Sequence, residues 1–159
     1  MINVLKTYNS HPEPRPKLVF ISSTGLSRTS HDALPILLKP LYAYALRAPH
    51  ADKLGMERAA AYAAGWKWED EEPKAEIIGE NWKEGLGEGG WLKDVCVVRP
   101  ALLTDGACKA DTRQKSYRAE ETELSGGYTI SRRDVAHFVV EKCLKEWDAW
   151  KGKCVRLAY

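Results

Sequence analysis

A hydroxyl cluster, Ser22-Ser23-Thr24, directly follows the apolar run Leu18-Val19-Phe20-Ile21 and precedes Gly25. Hydroxyls both donate and accept hydrogen bonds, so three in a row suit a carbonyl, an amide or a sugar. If the run is a strand, the cluster stands at its carboxyl end, where ligands collect in open α/β sheets. Lys53 and Glu57 are four apart, the spacing of a helix-surface pair contributing about 0.2–0.5 kcal/mol. Asp134 and His137 lie one helical turn apart, as an acid–base pair would. No serine in a nucleophile elbow accompanies them, so they read as structural. Gly85-Leu86-Gly87-Glu88-Gly89-Gly90 matches G-x-G-x-x-G. A phosphate cradle of that type needs a strand before it and a helix after it. Here Trp82-Lys83-Glu84 precede it and an apolar strand-like run comes after, so it reads as a flexible connection. Lys109, Arg113, Lys115 and Arg118 read as a solvated basic loop. Cys96, Cys108, Cys143 and Cys154 form no C-x-x-C pair. They read as reduced thiols, and no metal site is expected.

Periodicity supplies the supporting elements. Residues 1–16 hold a short stretch of helical spacing (Ile2, Val4, Leu5, Tyr8) and then Pro12, Pro14 and Pro16, which impose an extended linker. Residues 17–22 form an apolar, β-branched run of the kind buried on both faces of a parallel sheet. Residues 33–48 are apolar and helical but interrupted at Pro35 and Pro40. Residues 50–64 are strongly helical, alanine-rich, and followed by Gly65 where a C-cap glycine belongs. Residues 66–90 carry eight acidic residues against three lysines, 3 − 8 = −5, and read as an inserted, solvated segment or lid. Residues 95–99 form a second buried strand closed by Pro100. A short strand is possible at 116–118. Ser131 and Asp134 form a capping box. Ala136, Val139, Val140, Cys143, Leu144 and Trp147 make the apolar stripe of a core-facing helix. Residues 153–158 form a last strand. Strands alternating with helices predict a parallel α/β sheet.

The bulk numbers fit this reading. A chain of 159 residues suits one domain, with 44% hydrophobic and 29% charged residues. The net charge of 24 − 22 = +2 gives no electrostatic reason to expect nucleic acid or an anionic membrane. No apolar run spans a bilayer, because Pro35, Lys39 and Pro40 break the longest one. The amino terminus lacks the apolar core of a signal peptide, so a cytoplasmic location is expected.

Four segments in order carry a resemblance. They are Val19 to Gly25, Lys53 to Glu57 heading the helix that ends before Gly65, Val97 to Gly106, and Ile130 to Ala136. Together they resemble the C-terminal half of atypical short-chain dehydrogenase/reductases, in the NAD(P)H-binding group that includes NmrA-like regulators and biliverdin reductase B. The likeness covers 17–65 and 95–159; 66–90 has no counterpart. It implies a Rossmann-like three-layer parallel sheet, truncated, whose N-terminal dinucleotide-binding βαβ half is absent. Residues 1–16 would then be a helix remnant and Pro-rich linker, and 17–159 the second half of the domain with the insertion 66–90.

The resemblance implies hydride transfer from NADP(H) or NAD(H) to a small or flavin-like acceptor. It makes Ser23 and Lys53 catalytic, the serine by the substrate and the lysine at the nicotinamide ribose. It makes Ser22, Thr24, Pro100, Ala101, Leu102 and Leu103 cofactor-binding. The family pattern places a proton-donating tyrosine four residues before the lysine. Here that position is Pro49, which leaves Tyr42 or Tyr44 as substitutes. The alternative is a non-catalytic dinucleotide-sensing or protein-interaction module, or an inactive fragment. The first strand would lack a neighbour, so self-association or a partner chain is expected at an exposed sheet edge.

Overall fold

The computed structural model describes residues 1–24, 47–112 and 116–159. The readings that involve Gly25, Tyr42, Tyr44, Arg113, Lys115 and most of 33–48 lie outside the described residues. Two compact units divide the chain. Unit 1 takes 1–16 and 25–93; unit 2 takes 17–24 and 94–159.

Unit 2 is a mixed α/β unit built on a largely parallel sheet. Its strands are β1 (Leu18–Ile21), β2 (Val95–Pro100), β3 (Leu102–Thr104), β4 (Arg118–Glu120), β5 (Thr129–Ser131) and β6 (Lys153–Ala158). The main sheet runs β1-β2-β6-β4, and β3 pairs with β5 in a second, two-stranded sheet. All pairs are parallel except β4 with β6. The three strands legible in the sequence are there, in parallel register. β2 is buried along its length save Arg99, as expected of a strand flanked on both sides. β1 corrects its sequence reading. It was expected to be buried on both faces, yet only Phe20 is buried and Ile21 is 43% exposed. The reason is its place: among the described residues it pairs with β2 alone.

The helix after β5 corrects a second expectation. It runs as α4 (Arg132–His137), a π-helical turn (Phe138–Cys143) and, after a break, α5 (Trp147–Trp150). The Leu144 N–H donates to the Val139 carbonyl five residues back, at 2.9 Å. The wider turn rotates the residues beyond it. The buried apolar positions are Val135, Phe138, Cys143 and Trp147, spaced three, five and four apart. Ala136, Val140 and Leu144 of the expected stripe face outward. Cys143 and Trp147 of that stripe are buried as expected and, with Phe138, join Cys96, Val98, Val155 and Leu157 in the core, where Phe138 meets Trp150 edge-on at 5.0 Å.

Unit 1 contains α1 (Ile2–Ser10), α2 (Arg47–Ala64) and α3 (Ala75–Ile78). Leu5 and Tyr8 are the buried face of α1, and Tyr8 stacks on Trp91 with ring centroids 6.2 Å apart. Pro49 sits in the first turn of α2, where a missing N–H costs nothing. Ala59, Ala60, Ala61, Ala63 and Ala64 are all buried. Gly65 ends the helix at φ +74, with its N–H on Tyr62 O and the Trp66 N–H on Ala61 O. The acidic stretch 66–90 is anchored at two places. Arg58 of α2 bonds both Glu72 carboxylate oxygens, at 2.9 and 2.8 Å, and lies over Trp68 and Trp82 at 5.6 and 5.2 Å. Leu86, further on, is fully buried. No helix among the described residues is long and apolar enough to cross a membrane.

Candidate functional site

The hydroxyl cluster and the end of β2 meet at the carboxyl edge of the main sheet. The Ser22 N–H donates to Val98 O at 2.7 Å, extending the β1–β2 ladder by one rung. Past that point the Thr24 N–H donates to Pro100 O at 2.9 Å, and its hydroxyl reaches the same carbonyl at 3.4 Å. Ser22, Ser23, Thr24 and Pro100 are therefore one constellation. The Ser22 side chain is 1% exposed, and its hydroxyl has no hydrogen-bond partner among the described residues. A buried hydroxyl left in that state costs free energy, which a ligand with a matching polar atom would recover. Ala101 is buried, and its N–H donates to Leu157 O at 2.9 Å. Leu102 and Leu103 continue away from the cluster in β3, half-buried, with the Leu102 N–H on Tyr128 O at 3.1 Å.

Lys53 stands on α2 and so belongs to unit 1, whereas the serines belong to unit 2. Its amine is half-buried. Burial pulls its pKa down, and the carboxylates of Glu57 and Asp52 pull it partly back. Glu57 is itself 4% exposed, an unusual burial for a helix-surface pair.

The glycine run has a structural explanation. Gly85, Gly87 and Gly90 all have positive φ, and a Cβ on Gly89 would lie 2.5 Å from Tyr62 O. The run packs onto the end of α2: the Tyr62 hydroxyl donates to Gly87 O at 2.9 Å, and the N–H groups of Gly90 and Leu92 both reach Ala63 O at 2.9 Å. Close backbone approach, with no strand before and no helix after, is what these glycines serve.

Asp134 and His137 have separate partners. Asp134 is fully buried and accepts five donors: Cys108 Sγ (3.3 Å), Lys109 N (3.1 Å), Ala110 N (3.1 Å), Ser131 Oγ (2.8 Å) and Tyr159 Oη (2.6 Å). The capping box is present in altered form. Ser131 Oγ accepts the Asp134 N–H at 2.9 Å, but the Ser131 N–H goes to Tyr159 Oη at 3.0 Å. Burial pushes the Asp134 carboxyl up, and the donors from Tyr159, Ser131, Ala110 and Lys109 outweigh it. The net effect holds it well below the usual carboxylate range. The Cys108 thiol is pushed up by burial and by that carboxylate, so it is a proton donor and a poor nucleophile. His137 Nδ1 instead meets Tyr117 Oη at 2.8 Å. Burial, with the Asp134 charge second, pushes Tyr117 up to about 12, so the phenol keeps its proton at neutral pH. Cys108, Tyr117 and Tyr159 were not singled out by the sequence. They sit 20 to 26 residues from their partners with no motif between.

Comparison with known proteins gives one strong likeness. Over 147 residues, 91% of the chain, the sequence is 35% identical to the Aspergillus terreus protein named reductase pytE. The chain spans about half of that relative, 48% of its length. No family model matches the chain, and no solved structure matches it.

Proposed function

We propose that the carboxyl edge of β1 and β2 is the substrate side of a reductase site. It takes the nicotinamide end of NADPH or NADH together with a small conjugated or flavin-like acceptor. The observation that carries this is the Ser22 hydroxyl, buried and without a partner among the described residues, beside Ser23, Thr24 and Pro100. An amide or carbonyl on the ligand satisfies that hydroxyl. The likeness to a protein named a reductase supports the same class of chemistry. Bound there, the reduced nicotinamide supplies the hydride. Ser23 orients the acceptor, while Ser22, Thr24 and Pro100 hold the ring; Ala101, Leu102 and Leu103 are bonded elsewhere and stay outside this reading. Lys53 rests on the resemblance alone and has no part in this reading.

A second reading is favoured by Pro49. It occupies the first turn of α2, at the position that the resemblance gives to a proton-donating tyrosine, and it has no hydroxyl. A site that binds the dinucleotide and senses it without turnover fits that substitution.

Titration of NADPH and NADH into the 1–159 chain, by calorimetry and thermal shift, tests both readings. Saturable binding that weakens in Ser22→Ala and Ser23→Ala supports the site. Turnover of a flavin or quinone then separates reductase from sensor. A folded sample that binds neither dinucleotide overturns both.

A further inference from the structure

We propose that Cys96 and Cys143 are a peroxide-oxidisable thiol pair, which closes to a disulfide inside the folded unit 2. The inference stands apart from the reductase reading, which uses neither residue. Cys96 lies on β2, and Cys143 ends the π-helical turn. Both are fully buried members of one core cluster. Their thiols are hydrogen-bonded to each other between the sheet and the helix. The wide turn delivers Cys143 to that position, five residues after Phe138 and on the same buried side.

The other two cysteines are placed differently. Cys96 pairs with Lys153 in the parallel register of β2 and β6. Cys154 comes one step later and so points to the opposite face of the sheet. The Cys108 thiol donates to the Asp134 carboxylate at 3.3 Å, and burial with that negative charge keeps it protonated.

Charge divides the roles within the pair. The Cys96 thiol donates to Cys143. The Lys17 ammonium is held close to the end of the turn, on Leu144 O at 3.0 Å and over the Trp147 ring at 5.3 Å. The hydrogen bond and the ammonium draw Cys143 below the ordinary thiol range against its burial, whereas the same hydrogen bond and burial push Cys96 up. Cys143 is therefore the nucleophile and Cys96 the resolving thiol. The Cys143 thiolate attacks one oxygen of hydrogen peroxide and the O–O bond breaks. Hydroxide leaves, takes up the proton that Cys143 gave away, and Cys143 is left as a sulfenic acid. The Cys96 sulfur then forms the S–S bond, and the sulfenic hydroxyl departs as water with the Cys96 proton. Two thiols are oxidised to one disulfide, and one peroxide is reduced to two waters. Hydrogen peroxide is little larger than water, and Lys142 and Leu144 on either side of Cys143 are exposed, so the path to its sulfur is short.

Peptide mapping of the folded 1–159 chain after brief exposure to hydrogen peroxide, with the remaining thiols alkylated in denaturant, tests this. The expected product joins the peptides of Cys96 and Cys143, about 2 Da lighter than the two reduced peptides together, while Cys108 and Cys154 are alkylated. Dithiothreitol should make all four cysteines alkylatable again. Cys96→Ala should leave Cys143 as a sulfenic acid that dimedone labels, and Cys143→Ala should leave Cys96 unlabelled. Four alkylated thiols in peroxide-treated wild type overturn the proposal, as does a disulfide through another cysteine or a label on Cys96 in Cys143→Ala. Should either variant fail to fold, the wild-type map decides. The same treatment of the urea-unfolded chain is the control: if the Cys96–Cys143 link is its main product too, the fold does not direct the pairing and the proposal falls.

Discussion

Two serines lie buried at the carboxyl ends of strands in unit 2, and their hydroxyls are handled in opposite ways. Ser131, the last residue of β5, is bonded in both roles: its oxygen accepts the Asp134 N–H and its proton goes to the Asp134 carboxylate. Ser22, after β1, has no partner among the described residues. The bonded group is part of a lattice that includes Tyr159, Cys108 and two backbone amides. Its proton is already committed to that lattice. The other group keeps its donor and acceptor capacity unspent among the described residues. Burial and residue type are the same in both places, so hydrogen-bond accounting is what separates scaffold from site.

Breaking the bonded side should cost most. Asp134→Asn deprives five donors of a charged, fully buried acceptor, and the expected loss is about 3 kcal/mol or more in a urea melt. The same carboxylate sets a pH dependence. Its folded pKa lies below its unfolded value, so its contribution is complete above the ordinary carboxylate range and is lost as pH falls through that range and below. Acid melts of the wild type should show this loss, and Asp134→Asn should flatten it. Ser131→Ala removes the helix cap and one acceptor, with an expected cost of about 1–2 kcal/mol by the same melt. Tyr117 should show the opposite sign. Its pKa is raised to about 12, so its contribution is present at neutral pH and is lost as pH climbs from about 10 toward 12. Tyr117→Phe should remove that alkaline loss. The open side should break least: Ser22→Ala should change stability by less than about 0.5 kcal/mol, because it deletes an unpaired polar group. Its effect should instead appear as weaker dinucleotide binding, and a large stability loss in this variant would erase the contrast between the two serines.

Much of the frame was legible in the sequence. Residues 17–22, 95–99 and 153–158 announce strands because parallel strands are continuous apolar runs. The convergence of Ser22–Thr24 with Pro100 comes from placing both at carboxyl strand ends. β3 and β5 were not legible, since three residues carry no period. The helix face was half legible: Cys143 and Trp147 are buried as expected, whereas Ala136, Val140 and Leu144 are exposed, a 3.6 period having been assumed across a π-helical turn. The Asp134 lattice was half legible: the capping pair shows at i, i+3, whereas Tyr159 and Cys108 reach it only through the fold.

The π-helical turn also bears on how this chain tolerates changes of length. Residues 138–143 hold more chain per turn than an α-helix of the same rise would need. Removing one residue there lets the segment rewind to ordinary pitch instead of tearing it. The residues beyond would keep their faces, because Cys143, five residues after Phe138 across the wide turn, would then follow it by four, the ordinary helical spacing to the same side. Cys143 and Trp147 would stay in the core and the outward stripe would stay outside. A single-codon deletion in this segment is thus a change of length that the helix absorbs without exchanging its faces.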